Sequence, residues 1–548
     1  MKFRNDIQGL RAIAVLLVLI FHLNSSYLPG GFIGVDIFFV ISGYLVSSII
    51  IDKKGKDSFN LSGFYIGRVK RIVPAYLCFL IIIFLLGCFV YFPMDIGGLR
   101  KNIFYAAIFN SNNYLASLDT YFGASSSENP LLHTWTLAIE MQFYFILPLF
   151  LMLVNRKYYA PVLIFLIIAL FGYSYYNSTF LSNKSGMYFS LAARMPEFLI
   201  GTLMAVKGSL LEVKQPRFKN LCSLGALITI VITALLLNEK SNFPGVIVLV
   251  PCISVAFILI NSDSVLNKSI LSNKVLVYIG ELSYSIYLWH WGLMALLRYS
   301  NLRYQFTLSE VALLMIVIGV FSYLSYKYIE SYFRKIQTNN LIKVISASLA
   351  ILCITAYLAP KVNNAIYPIP KKYSYATFGL DSHSDTFKFP ERFGDLNKKK
   401  DSILLIGDSF ALMYKPVLDY IGKRHGFNFL TVTNDGTPLI PGIAREDFSN
   451  NSLFTRYQKL SKQSSALIKQ SNLILISSSW RHEITSLPQA FGAFAKLLRP
   501  NQTVIILSNF PSLNKNPIKV NRGVVRNVSV DNNYVLKTRQ IPDEIIRI

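Results

Sequence analysis

Ile7-Gln-Gly-Leu-Arg11-Ala-Ile-Ala-Val-Leu-Leu-Val-Leu-Ile-Phe-His22-Leu-Asn-Ser-Ser-Tyr27 is apolar through its centre, and only Arg11 and His22 interrupt it with ionisable groups. A run of this kind supplies the ~20 residues a helix needs to cross a bilayer. Similar runs lie near 33–51, 75–93, 134–154, 158–175, 190–207, 219–237, 244–261, 275–297, 308–328 and 341–359. They predict a polytopic α-helical membrane domain of about 10–11 transmembrane helices. Tyr and Arg interrupt 158–175 and 190–207, the weakest of the set. Arg11 and the lack of a clear small-residue cleavage site argue against a signal peptide in the first run. The composition agrees: of 548 residues 53% are hydrophobic and 15% charged, and the mean hydropathy is +0.43. Soluble domains carry about 25% charged residues. A disordered chain, a coiled coil and an ordinary cytosolic enzyme are thereby excluded.

The 54 Lys+Arg residues exceed the 29 Asp+Glu, for a formal net charge of +25. In a soluble protein that balance would suggest nucleic acid. Here it follows from basic loops on one side of a membrane, and nothing else in the sequence points to nucleic acid. Lys2 and Arg4 precede the first run, and Lys53, Lys54, Lys56, Arg68, Lys70 and Arg71 follow the second. Arg156, Lys157, Lys207, Lys214, Arg217, Lys219, Arg334 and Lys335 occupy further alternate loops. The positive-inside rule therefore puts the N-terminus in the cytoplasm. An odd number of crossings puts the chain after residue 360 outside. The five cysteines lie in or beside apolar runs, without CxxC spacing, and read as small buried apolar groups.

After a polar linker at 361–400 the pattern changes to short apolar runs at 402–406, 427–432, 473–477 and 503–507, with helical stretches at 411–424 and 454–470 between them. Alternating strands and helices imply an α/β domain with a parallel sheet.

Ionisable groups inside a membrane span mark function by default. Arg11 and His22 are three turns plus roughly 20° apart, so they share a helix face about 16 Å from one another. This suggests a polar path into the bilayer, although a snorkelling arginine and an interfacial histidine would give the same pattern. His133 and Glu140, two turns less about 20° apart, also share a face, and Glu140 needs a partner. Asp36 and Glu197 are further candidates, with Arg194 as an i, i+3 partner for Glu197. His290, between Trp289 and Trp291, suits an interfacial anchor as well as a catalytic role. Arg68 and Arg71 precede the third run. They satisfy the positive-inside rule, and as guanidinium forks they would also clamp phosphate.

Arg11-x10-His22, Gly34-Val-Asp36-Ile-Phe-Phe-Val-Ile-Ser-Gly-Tyr44, Phe64-Tyr-Ile-Gly-Arg68-Val-Lys-Arg71-Ile-Val-Pro74 and His133-Thr-Trp-Thr-Leu-Ala-Ile-Glu140-Met-Gln-Phe-Tyr144 occur in this order. Arg194-Met-Pro-Glu197-Phe-Leu-Ile-Gly201, Leu282-Ser-Tyr-Ser-Ile-Tyr-Leu-Trp-His290 and Tyr328-Ile-Glu330-Ser-Tyr-Phe-Arg334 follow. Together they resemble the integral-membrane acyltransferase-3 family over residues 1–335, with an additional transmembrane helix at 336–360. Where that family often has adjacent glutamates, Met141 follows Glu140. The resemblance implies a membrane O-acetyltransferase in the bacterial inner membrane, with acetyl-CoA as donor and no tightly bound cofactor or metal. Its acceptor would be a cell-surface polysaccharide such as lipopolysaccharide O-antigen. It further implies catalytic roles for His22, Arg11, Glu140 and His133, and donor or substrate contacts from Arg68, Arg71, Asp36 and Glu197. Peptidoglycan or another glycan is an alternative acceptor, and a transporter with an external binding module is an alternative class.

Ser402-Ile-Leu-Leu-Ile-Gly407-Asp408-Ser409-Phe410 is a strand that ends in Gly-Asp-Ser before a helix. The serine would stand at the carboxyl end of a parallel strand, beside backbone N–H groups fit for an oxyanion. This segment, Asp435-Gly436-Thr-Pro438 and Leu473-Ile-Leu-Ile-Ser-Ser-Ser-Trp480-Arg481 resemble the first three blocks of SGNH hydrolase-like domains fused to acyltransferase-3 domains. The resemblance implies Ser409 as nucleophile, with Asp408 and Gly436 near the substrate. The family's C-terminal Asp-x-x-His block has no match. None of His383, His425 and His482 follows an Asp by three residues. Residues 401–548 are therefore expected to be a truncated domain whose Ser409 lacks its base.

Overall fold

In a bilayer only a helix satisfies the peptide groups of a lone apolar segment, and each long apolar run before residue 360 forms a helix over most of its described residues. A computed structural model of the chain describes residues 4–117, 126–180, 184–238, 241, 243, 245–301, 303–367, 378–384, 390–398, 402–448, 451–480 and 484–507. The chain divides into two units, Met1–Pro368 and Ile369–Ile548.

The first unit holds α1 (Asn5–Leu23), α2 (Gly34–Gly55), α3 (Leu61–Val90), α4 (Pro93–Ala107), α5 (Ser111–Ser117) and α6 (Thr134–Leu153). It continues with α7 (Tyr159–Thr179), α8 (Lys184–Tyr188), α9 (Leu191–Leu211), α10 (Pro216–Leu236), α11 (Leu249–Ile260) and α12 (Lys274–Asn301). The last helices are α13 (Leu308–Leu324), which passes through a π turn, Ser325–Glu330, into α14 (Ser331–Phe333), and then α15 (Thr338–Ile366). Among the described residues nine helical segments are long and apolar enough to cross a membrane. The apolar Val246–Ile260 is shorter, and α12 carries Glu281, His290 and Arg298. These two account for the remaining runs.

Two features differ from the sequence expectation. The third span begins at Leu61, so Arg68 and Arg71 ride on α3 itself rather than on a loop before it. The helix accommodates Pro74 in its interior. Helix α4 was not legible as a span. It is short and buries Ile96, Leu99, Ile103 and Ala106, a one-sided helical stripe rather than a continuous apolar run.

Glycine seams set the helix crossings. A Cβ on Gly43 of α2 would lie 2.0 Å from the Phe198 carbonyl oxygen on α9, and one on Gly201 would lie 2.0 Å from that of Val40. Ser47 Oγ donates to Thr202 Oγ1 at 2.9 Å along the same seam. A Cβ on Gly280 of α12 would come within 1.9 Å of the Gln8 carbonyl oxygen on α1. Without a hydrophobic drive between helices in lipid, such close backbone approach supplies the packing. It fixes α1 against α12 and α2 against α9.

The second unit is one five-stranded sheet in the order β1-β3-β2-β4-β5. Its strands are β1 (Glu391–Gly394), β2 (Ile403–Gly407), β3 (Asn428–Thr433), β4 (Leu473–Ser477) and β5 (Thr503–Leu507), with helices α16 (Ser409–His425), α17 (Asn451–Gln470) and α18 (Leu487–Ala495). Strands β2 to β5 are parallel, as their pattern predicted, and β1 pairs antiparallel with β3. The stretch 361–400 is therefore not a simple linker. α15 runs to Ile366, and Glu391–Gly394 is an edge strand whose four residues gave too short a pattern to read. Residues 508–548, which hold the end of the expected SGNH-like region, lie outside the described residues.

Substituting Gly201→Leu forces α2 and α9 apart. Overpacking of this kind costs about 1–3 kcal/mol or more. Thermal unfolding of the purified full chain, followed by loss of its monodisperse chromatographic peak, is expected several degrees below wild type. An unchanged midpoint would show that the seam does not hold the two helices together.

Candidate active site

Two cavities of about 580 Å³ each lie in the first unit. The first is basic. Arg11, Lys53, Arg68, Lys70, Arg71 and Arg334 line it, against the carboxylates of Glu140 and Glu281, with Val35, Phe38, Ile41 and Leu45 among its apolar residues. The Arg68 guanidinium lies over the rings of Phe64 and Tyr144, 5.3 and 5.4 Å from their centroids. These contacts hold it in place and leave its charge largely uncompensated. Arg11 donates to Gln8 Oε1 at 3.0 Å. Glu140 has the partners it required, since Ser42 Oγ donates to it at 2.6 Å and the Tyr144 hydroxyl also donates to it.

The second cavity is aromatic. His22 and His133 line it with Trp135, Tyr188, Phe189, Phe243, Trp291 and Tyr304, and Ser25 and Asn238 add polar groups. The His22 ring meets Trp291 edge to face, with centroids 4.5 Å apart. His22 Nδ1 stands 2.9 Å from His290 Nε2. His133 Nε2 bonds the Leu288 carbonyl at 3.0 Å, and its Nδ1 is buried with no hydrogen-bond partner. Because a carbonyl only accepts, Nε2 carries the proton and Nδ1 is a bare acceptor in the neutral ring.

Val35 and Tyr287 line both cavities. The Tyr287 hydroxyl bonds Thr136 Oγ1 at 2.7 Å and donates to the His133 carbonyl at 3.3 Å. Arg11 and His22 thus share a helix but open into different chambers with two residues in common. His133 and Glu140 are divided in the same way, so no proton passes directly between them as arranged here.

Asp36 and Glu197 line neither cavity. Arg194 donates to Asp36 at 2.8 Å and to Glu197 at 3.1 Å, and these three side chains are 1%, 1% and 0% exposed. The guanidinium also stacks on Trp135, Tyr188 and Phe243, which line the aromatic cavity. These carboxylates therefore brace the aromatic wall through Arg194 rather than meeting a substrate. The sequence reading had paired Arg194 with Glu197 alone. The Asp36 contact comes from a residue 158 positions away, beyond any helical spacing.

In the second unit, the first connection from β2 runs to one side of the sheet, to β3, and the next runs to β4 on the other. The carboxyl end of β2 is thus a switch point, where open α/β sheets place ligands. Ser409 opens α16 there, half-buried. Gly407 has φ +146° and a Cβ on it would strike the Ser477 carbonyl oxygen, so only glycine allows the turn. Asp408 is buried, and its carboxylate accepts from Phe410 N–H, Ser478 Oγ and Ser479 N–H at 2.8, 3.0 and 2.7 Å. It ties the serine turn to the loop after β4 instead of facing a substrate, and burial pushes its carboxyl up. Gly436 has φ +69°, which accounts for that glycine in the loop after β3. Asn434 of the same loop donates its N–H to the Gly407 carbonyl at 2.9 Å.

His383, which the sequence placed in a linker, bridges to Thr433 and sets its Nε2 2.9 Å from Asp435 Oδ1. That contact holds the Asp435 carboxyl below its usual range. Among the described residues no imidazole hydrogen-bonds Ser409. Arg481 and His482 lie outside the described residues. Among the described residues no group of three or more His, Cys, Asp or Glu is placed to hold a metal ion.

A family model described as an acyltransferase domain matches residues 4–327. A second, an SGNH domain of the kind fused to such domains, matches residues 379–543. The O-acetyltransferase OatA of Staphylococcus aureus (strain NCTC 8325 / PS 47) is 30% identical over 351 residues, 61% of this chain and 58% of its own. A protein of strain MSSA476, provisionally named an O-acetyltransferase, is 32% identical over 351 residues with the same coverage. An uncharacterized Haemophilus influenzae protein is 34% identical over 235 residues, 41% of this chain and 96% of its own. The chain thus matches 58% of the length of the staphylococcal relatives. No solved structure matches.

Lys415 of α16 gives a pH prediction. It is fully buried, and its amine donates to the Gly379 carbonyl at 2.6 Å and Ser382 Oγ at 2.9 Å. Burial pushes it down to about 7. Between about pH 7 and the ordinary lysine value near 10.4, the unfolded chain holds a proton that the folded unit does not, so stability rises with pH across that window. The urea midpoint for proteolysis of the second unit in the full chain should be higher at pH 9 than at pH 7. Lys415→Met should flatten this dependence. An equal slope in both proteins would refute the assignment.

Proposed function

The chain belongs to the acyltransferase family whose model spans residues 4–327, and on that premise we propose that it is a membrane-bound O-acetyltransferase. It takes acetyl from acetyl-CoA and transfers it to a hydroxyl of a cell-surface polysaccharide, of which lipopolysaccharide O-antigen is the form we favour. The observation that carries this reading is the pair of cavities sharing Val35 and Tyr287. The basic cavity suits a polyanionic donor with a thin apolar arm, with Arg68 and Arg71 at the phosphates and the chamber's apolar residues along the arm. The aromatic cavity suits a sugar, since aromatic faces pack on C–H surfaces while His22, Ser25 and Asn238 meet hydroxyls. The thioester reaches the shared boundary from one side and the hydroxyl from the other.

The chemistry follows from this arrangement. His22 takes the proton as the acceptor oxygen attacks the thioester carbonyl, a general-base role worth about 10²–10⁴-fold. Arg11 offsets negative charge on the donor side, and Glu140, held by Ser42 and Tyr144, balances the arginines. In this reading the basic chamber faces the cytoplasm across the inner membrane and the second unit lies outside, an orientation that the positive-inside pattern of the sequence supports. Ser409 stands at the switch point of that unit, where it would act as an acyl relay or meet the acceptor. A solute transporter fits less well, because Tyr287 stands between the chambers and is bonded to Thr136.

The test is acetylation of surface glycan by mass spectrometry in a deletion strain complemented with each variant. His22→Ala is expected to lose at least about 100-fold. Arg68→Ala with Arg71→Ala is expected to raise the KM for acetyl-CoA about 10-fold or more, at about 1.5–3 kcal/mol for each charged hydrogen bond. Ser409→Ala separates direct transfer, with activity kept, from relay, with activity lost. A wild-type chain that adds no acyl group would refute the reading.

A further inference from the structure

His290 was read from sequence as an interfacial anchor or a catalytic group, but it is 1% exposed and lines neither cavity. Its Nδ1 lies 3.1 Å from the Ile286 carbonyl and 2.8 Å from that of Tyr287, one and nearly one turn back on α12. A carbonyl can only accept, so Nδ1 must carry a proton. In the neutral ring Nε2 is then a lone-pair acceptor. That atom faces His22 Nδ1 at 2.9 Å, so His22 must donate from Nδ1. The same rule leaves His22 Nε2 as its bare, basic nitrogen.

We propose that His290 is a positioning residue for acyl transfer, one that fixes His22 as the Nδ1–H tautomer so that Nε2 is the base in the aromatic cavity. The backbone of α12 plays the part that a carboxylate plays behind the histidine of a serine hydrolase. Among the described residues no carboxylate hydrogen-bonds either ring. The other charged or titratable neighbours among the described residues are His133 and Tyr287, whose rings lie beside His290, and Arg298, whose guanidinium donates to the His22 carbonyl at 2.5 Å. The inference rests on the acyl-transfer reading above. In the step, the acceptor hydroxyl proton passes to His22 Nε2 and its oxygen forms the C–O bond to the acetyl carbon. The C–S pair leaves on the coenzyme A sulfur, which takes the proton back from His22. While His22 is cationic, its Nδ1–H shares charge with His290 Nε2. The two residues lie 268 positions apart, and the tight α1–α12 approach at Gly280 holds the register between them.

The test uses the full chain in lipid nanodiscs with acetyl-CoA and a glycan acceptor. His290→Leu removes the acceptor behind His22, whereas His290→Gln can place an amide oxygen near the lost Nε2. The leucine variant is expected to lose about 100-fold in kcat with little change in KM, and the glutamine variant to stay within about 3-fold of wild type. Nitrogen-15 spectra of histidine-labelled protein, with His22 assigned by its loss in His22→Ala, should show a protonated Nδ1 and a bare Nε2 in wild type and His290→Gln. His290→Leu should show mixed tautomers. Glutamine failing as badly as leucine would overturn the proposal, as would a protonated Nε2 on His22 in wild type. Absent transfer by the wild-type chain would refute the acyl-transfer reading alone, because the tautomer spectrum still decides the relay.

Discussion

A polar group inside a bilayer has no water to turn to, so its partner must come from the bundle itself. That constraint organises the first unit. Asp36 and Glu197 converge on Arg194. Glu140 takes the hydroxyls of Ser42 and Tyr144. Glu330 takes Ser285 and Arg334, and His22 takes His290. Each set joins side chains from different helices or from helices separated in sequence, so it ties down a crossing as well as a charge. The glycine seams let the backbones approach closely enough for these partners to meet.

What remains unneutralised is correspondingly informative. Cations outnumber carboxylates around the basic cavity, while the imidazoles of the aromatic cavity have one nitrogen committed and one left as an acceptor. An anionic donor and a neutral hydroxyl are the complements of those two environments. The two residues common to both chambers are small enough in number to let reacting groups meet while keeping the chambers distinct.

Much of this was legible in the sequence. The apolar runs located the helices, and the short runs after residue 400 located four strands to within a residue or two. Arg11, His22, His133 and Glu140 stood out because ionisable groups are rare in or at such runs, and Arg68 and Arg71 as guanidinium forks ahead of the third run; each lines a cavity. Local spacing misled where partners were distant. Asp36, Glu197 and Asp408 looked like substrate contacts, but one oxygen each of Asp36 and Glu197 serves Arg194, and the Asp408 carboxylate serves Ser478, Ser479 and the start of α16. Tyr287 and His290 carry no motif that reveals a shared cavity wall or a tautomer. Their roles exist only once α12 lies on α1 and α6. His383 was hidden for the same reason, since Asp435 lies 52 residues away.

We propose that acyl donor and acceptor meet from opposite sides of the bundle. Sealed proteoliposomes with the basic face inward, acetyl-CoA trapped inside and a glycan acceptor outside test it most directly. Acetylated acceptor is expected outside while coenzyme A stays in the lumen. Transfer seen only when donor and acceptor occupy the same compartment would contradict it.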